Sequence, residues 1–194
     1  FTSIMTVSNV QTLIKYYELF REKLNQGEHH LRVATIFSYG ANEADVDVDG
    51  GDEMPDDGQP VNKHTREKLD EYIDDYNEIY GTNYSTDNFY GYYKDIGKRV
   101  RAKEVDILLV VNMFLTGFDS KPLNTIYVDK NLKHHGLLQA FSRTNRIYGS
   151  KKSQGNVVCF RNLKPATDKA IELFANKDAV EDIVLAPFEN YLEK

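Results

Sequence analysis

Cysteine occurs once in these 194 residues, at Cys159. That excludes an internal disulfide framework and a zinc site built on cysteines, and it fits a reducing, cytoplasmic compartment. No apolar run approaches the ~20 residues needed to span a bilayer. No charged-then-apolar opening marks a secretory leader, so no membrane association is expected. The sequence also lacks G-x-x-x-x-G-K-[ST], the pattern of a phosphate-cradling loop. No internal repeat is visible. No initiator Met precedes Phe1, which already stands in a strand-like stretch, and the expectation is a piece of a longer protein.

What is present suits a folded domain: 41% apolar, 12% aromatic and 28% charged residues can build a core. The net charge of −6 is unevenly placed. Residues 43–57 hold eight acids (Glu43, Asp45, Asp47, Asp49, Asp52, Glu53, Asp56, Asp57) and no Lys or Arg, and removing them takes the formal charge from −6 to +2. Residues 130–164 carry eight cations and no acid: Lys130, Lys133, Arg143, Arg146, Lys151, Lys152, Arg161 and Lys164. The asymmetry predicts one solvated acidic loop and one surface facing an anion.

The periodicity alternates between strand and helix. Thr2–Val7 is β-prone, and Ser8 or Asn9 can cap a helix whose apolar residues run from Val10 to Leu24. A second strand is predicted over Leu31–Phe37, then an excursion from Gly40 to Pro60. Helices follow over His64–Tyr80 and Thr86–Lys103. Val105–Val111 reads as a strand covered on both faces, and Thr125–Val128 as another. A helix is predicted over Gly136–Tyr148, a strand over Asn156–Phe160 and a helix over Pro165–Asn176, with an amphipathic tail from Val180. This pattern predicts an α/β fold with a mostly parallel sheet flanked by helices.

Two segments carry chemistry. The first is Gln139–Arg146, Q-A-F-S-R-T-N-R. With Gln139 at the origin of a helical wheel, Arg143 falls at about 40° and Arg146 at about −20°, while Leu137, Phe141 and Tyr148 fall on the opposite side. One helix would then pack an apolar face on the sheet and hold an amide and two guanidiniums outward. Paired guanidiniums on a rigid element suit a phosphate and the charge that develops as it leaves, although two solvated surface arginines fit the same pattern. The second segment is Met113–Pro122, M-F-L-T-G-F-D-S-K-P, expected at the carboxyl end of the buried strand, where open α/β sheets bind ligands. Gly117 permits a positive φ, Thr116 offers a hydroxyl and an amide, and Asp119 can accept from a ribose hydroxyl or orient an arginine. An ordinary turn would also use Gly and Asp.

In this order and spacing, the two segments resemble the fifth and sixth conserved motifs of superfamily-two helicases, which lie on the second RecA-like motor domain. The wording L-L-V-V-N-M-F-L-T-G-F-D-S-K-P-L-N-T-I-Y-V-D-K, running into L-L-Q-A-F-S-R-T-N-R, is similar to the restriction (R) subunit of type I restriction–modification enzymes. The resemblance covers about residues 1–175, and its specific part is Asp106–Arg146. It departs from many helicases in placing Ser142, not Gly, before the first arginine, a choice that suits the type I subunits.

The resemblance implies a RecA-like domain over residues 1–176, with a helical and acidic insertion at about 40–103, and a following helical region from 177 to 194. Residues 63–100 and the acidic loop would lie outside the minimal motor fold. It implies that Arg143 and Arg146 are finger arginines and that Gln139, Gly117 and Asp119 line a nucleotide cleft. Thr116, Ser8 and Asn9 would touch the DNA backbone. ATP and Mg²⁺ would be held mainly by a first motor domain that carries the phosphate loop, and without it this chain is expected to be inactive. The implied whole is an ATP-dependent double-stranded DNA translocase and site-specific deoxyribonuclease. Its partners would be the first motor domain and nuclease domain of the same subunit, the methyltransferase and specificity subunits, and duplex DNA. Another superfamily-two DNA or RNA helicase, or a non-catalytic scaffold of motor ancestry, remains open on the same residues.

Two weaker patterns point elsewhere. Asp45-x-Asp47-x-Asp49-Gly50 with Asp56 half-matches a calcium loop, but paired amphipathic helices and a closing Glu are lacking. Pro55-Asp56 with Asp119-x-Lys121 loosely imitates a metal-dependent nuclease. Neither leads us to expect a metal site. His134–His135 fits a pre-helix loop as well as a phosphate contact.

Overall fold

The computed structural model describes residues 1–39 and 63–174. The acidic loop, the calcium-like and nuclease-like patterns that depend on it, and the tail 177–194 lie outside the described residues. Five strands form one parallel sheet: β1 (Thr2–Val7), β2 (Val33–Ile36), β3 (Ile107–Val110), β4 (Leu123–Asp129) and β5 (Asn156–Cys159), in the order β2-β3-β1-β4-β5. The helices are α1 (Val10–Asn25), α2 (Lys63–Tyr80), α3 (Phe89–Ala102), α4 (His134–Ser142) and α5 (Lys164–Phe174). The architecture is α/β, as the alternating strands and helices imply.

Local chemistry explains the elements. Asn9 caps α1 in an extended conformation, its side chain accepting from the Thr12 amide at 2.8 Å. The central strands β1 and β3 are buried along most of their length; β3 is apolar on both faces, while β1 buries Thr2 and Thr6. β5 is an edge strand with all four residues exposed.

Residues 63–102, read from sequence as an insertion, supply the crossover that parallel neighbours β2 and β3 require. They also supply much of the aromatic core. Tyr72, Tyr76 and Tyr92 are buried, with Tyr17 of α1 4.1 Å from Tyr72 and Tyr76 edge-on to Tyr92 at 5.0 Å. Each hydroxyl finds an acceptor: Tyr72 on Glu18 at 2.9 Å, Tyr76 on Asp95 at 2.7 Å and Tyr92 on the Thr35 carbonyl at 2.7 Å. Large rings with satisfied hydroxyls can be buried without an unpaired polar group. At the amino edge of the sheet, Arg32 grips Asp106 through Nε and Nη2, both at 3.0 Å, and its own amide at 2.8 Å. These donors hold the Asp106 carboxyl below the usual carboxylate range.

Candidate functional site

The connection from β3 to β4 must return a whole strand length, because the two strands are parallel. It leaves β3 at the carboxyl edge and ends at the amino edge, where Thr2 donates its amide to the Pro122 carbonyl at 3.1 Å. Phe114 (φ 66°) and Gly117 (φ 67°) make its left-handed bends, the second at a residue free to adopt it. Phe114 stacks on Tyr93 of α3 at 4.6 Å and meets Phe118 edge-on at 4.8 Å. Gly97 on α3 allows that approach, since a Cβ there would lie 3.3 Å from the Phe114 ring.

Asp119 therefore emerges beside the last turn of α3, where Arg101 donates from Nε to its carbonyl at 2.9 Å and covers the Phe118 ring at 4.7 Å. This corrects the expectation that the Met113–Pro122 segment sits at the carboxyl end of the strand. Only its beginning is there, and Asp119 is carried to the opposite edge. Six residues of β1 at roughly 3.3 Å each put about 20 Å between the two edges.

The helix bearing the arginines is also shorter than expected, ending at Ser142 and not at Tyr148. Side chains take up its last carbonyls: Ser142 Oγ and Arg143 Nε both donate to the Gln139 carbonyl (2.8 and 3.0 Å), and Thr144 Oγ1 donates to that of Phe141 at 3.2 Å. The Arg143 and Thr144 amides reach back only three residues, to Ala140 and Phe141, tightening the last turn. Thr144 is then buried against Gly155, where a Cβ would lie 2.1 Å from the Thr144 carbonyl oxygen. Arg146 is thus off the helix, and the stripe drawn through Gln139, Arg143 and Arg146 does not exist as a helical face.

The arginines nevertheless meet, by another route. Arg143 donates from Nη1 to the Phe118 carbonyl at 2.6 Å, from Nη2 to Ser142 Oγ at 3.3 Å and from Nε to Gln139. Arg146 places Nε 3.1 Å from Asp119 Oδ1, in a pair about 60% exposed on both sides. Asp119, Arg143 and Arg146 are therefore brought into one cluster at the amino edge, with Gly117 one residue before the Phe118 carbonyl that Arg143 holds. Gln139, exposed one turn before Arg143, lends it a carbonyl.

The candidate DNA-contacting residues are elsewhere. Ser8 and Asn9 follow β1 at the carboxyl edge, where Asn9 is occupied as the α1 cap. Thr116 is half-buried in the returning loop, its carbonyl accepting the Phe118 amide at 2.8 Å, and it makes no hydrogen bond to either.

The basic run 130–164 is not the single anion-facing surface expected of it. Lys130 and Lys152 are 8% and 4% exposed. Lys130 ties β4 to β3 through the Val111 carbonyl at 3.1 Å and Asn112 Oδ1 at 2.5 Å. Arg161 and Lys164 pair with Asp129 and Asp168. Arg101, which nothing in the sequence marked, stands in the cluster because it lies one helical turn after Gly97 on the face that meets the loop.

Residues 1–162 match the family of type I restriction enzyme subunit R domain 3. The endonuclease subunit of type I restriction enzyme SauMRSORF196P from Staphylococcus aureus (strain MRSA252) is 45% identical, over 98% of this chain and 20% of its own length. That of SsaAORF53P from Staphylococcus saprophyticus is 44% identical over the same shares. The solved structure of the E. coli DEAD-box protein SrmB bound to regulator of ribonuclease activity A aligns over 96% of both chains at 10% identity, with a TM-score of 0.35, too low to add to the sheet topology. The chain spans about a fifth of the length of the curated relatives it matches. By its sequence along four-fifths of its length, this chain belongs to the type I restriction enzyme R-subunit domain 3 family.

Proposed function

We propose that this chain is the second RecA-like motor domain of a type I restriction R subunit, closing a composite ATP site with its amino edge and contacting duplex DNA from its carboxyl edge. The observation that carries the reading is Arg146, exposed beside Asp119 with no partner for its two η nitrogens among the described residues. A sequence without a phosphate loop offers this cationic edge to a nucleotide held elsewhere.

The residues fit a nucleotide's terminal phosphate. Two free guanidinium nitrogens can form a bidentate pair with it, Arg101 and Arg143 brace the loop beside it, and Gly117 leaves open space in front. ATP with Mg²⁺, held mainly by the first motor domain, supplies the phosphoryl bond whose cleavage drives the motor. Asp119 orients Arg146, and Arg146 neutralises charge at the phosphate as it builds. Arg143 holds the backbone on which Asp119 stands, and Gln139 faces the same cleft. Ser8 and Asn9 meet the DNA backbone from the carboxyl edge, and Thr116 meets it from the loop that returns between the edges. Because one sheet joins the edges, opening and closing against the first motor domain moves the DNA contacts with the nucleotide contacts. Such translocation would precede cleavage by the nuclease domain, in an assembly with the methyltransferase and specificity subunits.

Reconstitution tests this. ATP turnover is measured for this chain alone, for the separately produced amino-terminal part of the parent subunit, and for the two together on duplex DNA. Turnover by the mixture alone is expected. A correctly folded, reassembled pair that stays inactive would favour a scaffold.

A further inference from the structure

The most unusual group that this mechanism leaves unused is the ammonium of Lys152. It is 4% exposed and has no carboxylate partner among the described residues. Its Nζ lies 2.6 Å from the Leu123 carbonyl oxygen, 2.8 Å from that of Arg146 and 3.5 Å from that of Lys121. Burying a charge without a counter-charge is costly, and here burial depresses its pKa. Three carbonyl dipoles accept its three protons in compensation.

The three acceptors come from both halves of the candidate site. β5 begins only opposite Thr125, so the Lys121 and Leu123 carbonyls just before that point lack a strand neighbour, and the lysine takes its place. They belong to the stretch that follows Asp119. The third acceptor is the backbone of Arg146 itself. The Tyr148 amide donates to the Lys152 carbonyl at 3.0 Å, so residues 146–152 form a loop closed at both the main chain and the side chain. Arg146 has left the helix, and no regular element holds it; this ammonium fixes its backbone against the start of β4, the strand that follows Asp119.

We infer that Lys152 is a positioning residue for Arg146, setting the point from which its guanidinium reaches Asp119 and the phosphate. Lys152 is too buried to be a phosphate ligand. The inference rests on the composite-site reading above and adds to it a residue that acts through Arg146.

The test is a double-mutant cycle in the full R subunit, reading kcat and KM for ATP on duplex DNA together with the thermal unfolding midpoint. Lys152→Met keeps the aliphatic stem and removes the donors. Misplacing a catalytic group by about 1 Å costs up to about 100-fold, so Lys152→Met is expected to lower kcat about tenfold or more. KM for ATP should stay within about twofold, and there should be little further loss in an Arg146→Ala background, since residues acting as a unit are not additive. Losses that add to those of Arg146→Ala, or a folded Lys152→Met subunit with kcat within about twofold of wild type, would overturn the inference. Where Lys152→Met yields no folded subunit, Lys152→Gln, which keeps one donor group, is judged by the same criteria. Should Arg146→Ala itself keep wild-type turnover, the composite-site reading falls, and this inference with it. If Arg146→Ala collapses turnover while Lys152→Met does not, only the inference about Lys152 falls.

Discussion

Nε of Arg146 stands 3.1 Å from Oδ1 of Asp119, and this exposed contact is the one bond that ties the Arg146 guanidinium to the described residues. Arg143, three residues earlier, commits all three guanidinium nitrogens to its own chain. The two arginines of one motif are thus unequal: one braces the loop, and the other presents unfilled donors.

The difference has a stability signature. Arg143→Ala removes a charged donor from the Phe118 and Gln139 carbonyls and is expected to cost about 1–3 kcal/mol. Arg146→Ala removes only an exposed pair and is expected to change stability by less than about 0.5 kcal/mol. Denaturant unfolding of the 194-residue chain measures both, and equal losses would contradict the division of roles.

Gly155 tests how the arginine segment is held. A Cβ there would meet the Thr144 carbonyl oxygen at 2.1 Å and its Cβ at 2.4 Å, a clash with the main chain and not with a movable side-chain tip. Gly155→Ala is expected to destabilise the fold by at least about 2 kcal/mol, read as a lower denaturation midpoint. A neutral substitution would mean that Thr144 is not anchored where it stands.

Much of this arrangement was legible in the residues, and some of it was not. The apolar run Val105–Val111 announced a strand covered on both faces, found over Ile107–Val110, and Ser8 or Asn9 announced a helix start, with Asn9 the cap, because burial and capping leave local signatures. The end of α4 did not, because it is set by Ser142, Arg143 and Thr144 capping carbonyls that further helix would have used, and by Gly155, eleven residues after Thr144. The position of Asp119 was hidden for a topological reason: only the parallel pairing of β3 and β4 with β1 reveals that the loop runs back to the amino edge. Nor does a run of cations disclose that Lys130 and Lys152 turn inward, since their acceptors are main-chain carbonyls of any sequence.

Asp106 provides a pH-dependent test. Arg32 depresses its carboxyl in the folded chain, so the stabilisation is present above the unfolded pKa and is lost as pH falls through the lower folded value. At pH 7 Asp106→Asn is expected to cost about 1 kcal/mol, reduced by the partial exposure of the pair. The gap from wild type should close below about pH 4, the ordinary aspartate range. Unfolding midpoints across pH 2–7 measure this, and a gap that is flat or widens towards acid would refute it.

Ser120 predicts the opposite sign of effect. Its hydroxyl is buried with no hydrogen-bond partner among the described residues, and an unsatisfied buried hydroxyl is a net cost. Ser120→Ala is expected to leave stability unchanged or raise it by up to about 1 kcal/mol. A loss beyond about 1 kcal/mol would show that the hydroxyl has an acceptor.

The central claim, that the amino edge supplies a guanidinium to a phosphate held by another domain, is tested most directly by one rate constant. This is kcat for ATP hydrolysis on duplex DNA by the full R subunit carrying Arg146→Ala, with the unfolding midpoint as control. An arginine that stabilises the transferring phosphoryl group contributes about 10³-fold or more, so kcat is expected to fall by that order with the midpoint unchanged. A folded Arg146→Ala subunit that turns over ATP within about tenfold of wild type would contradict the account.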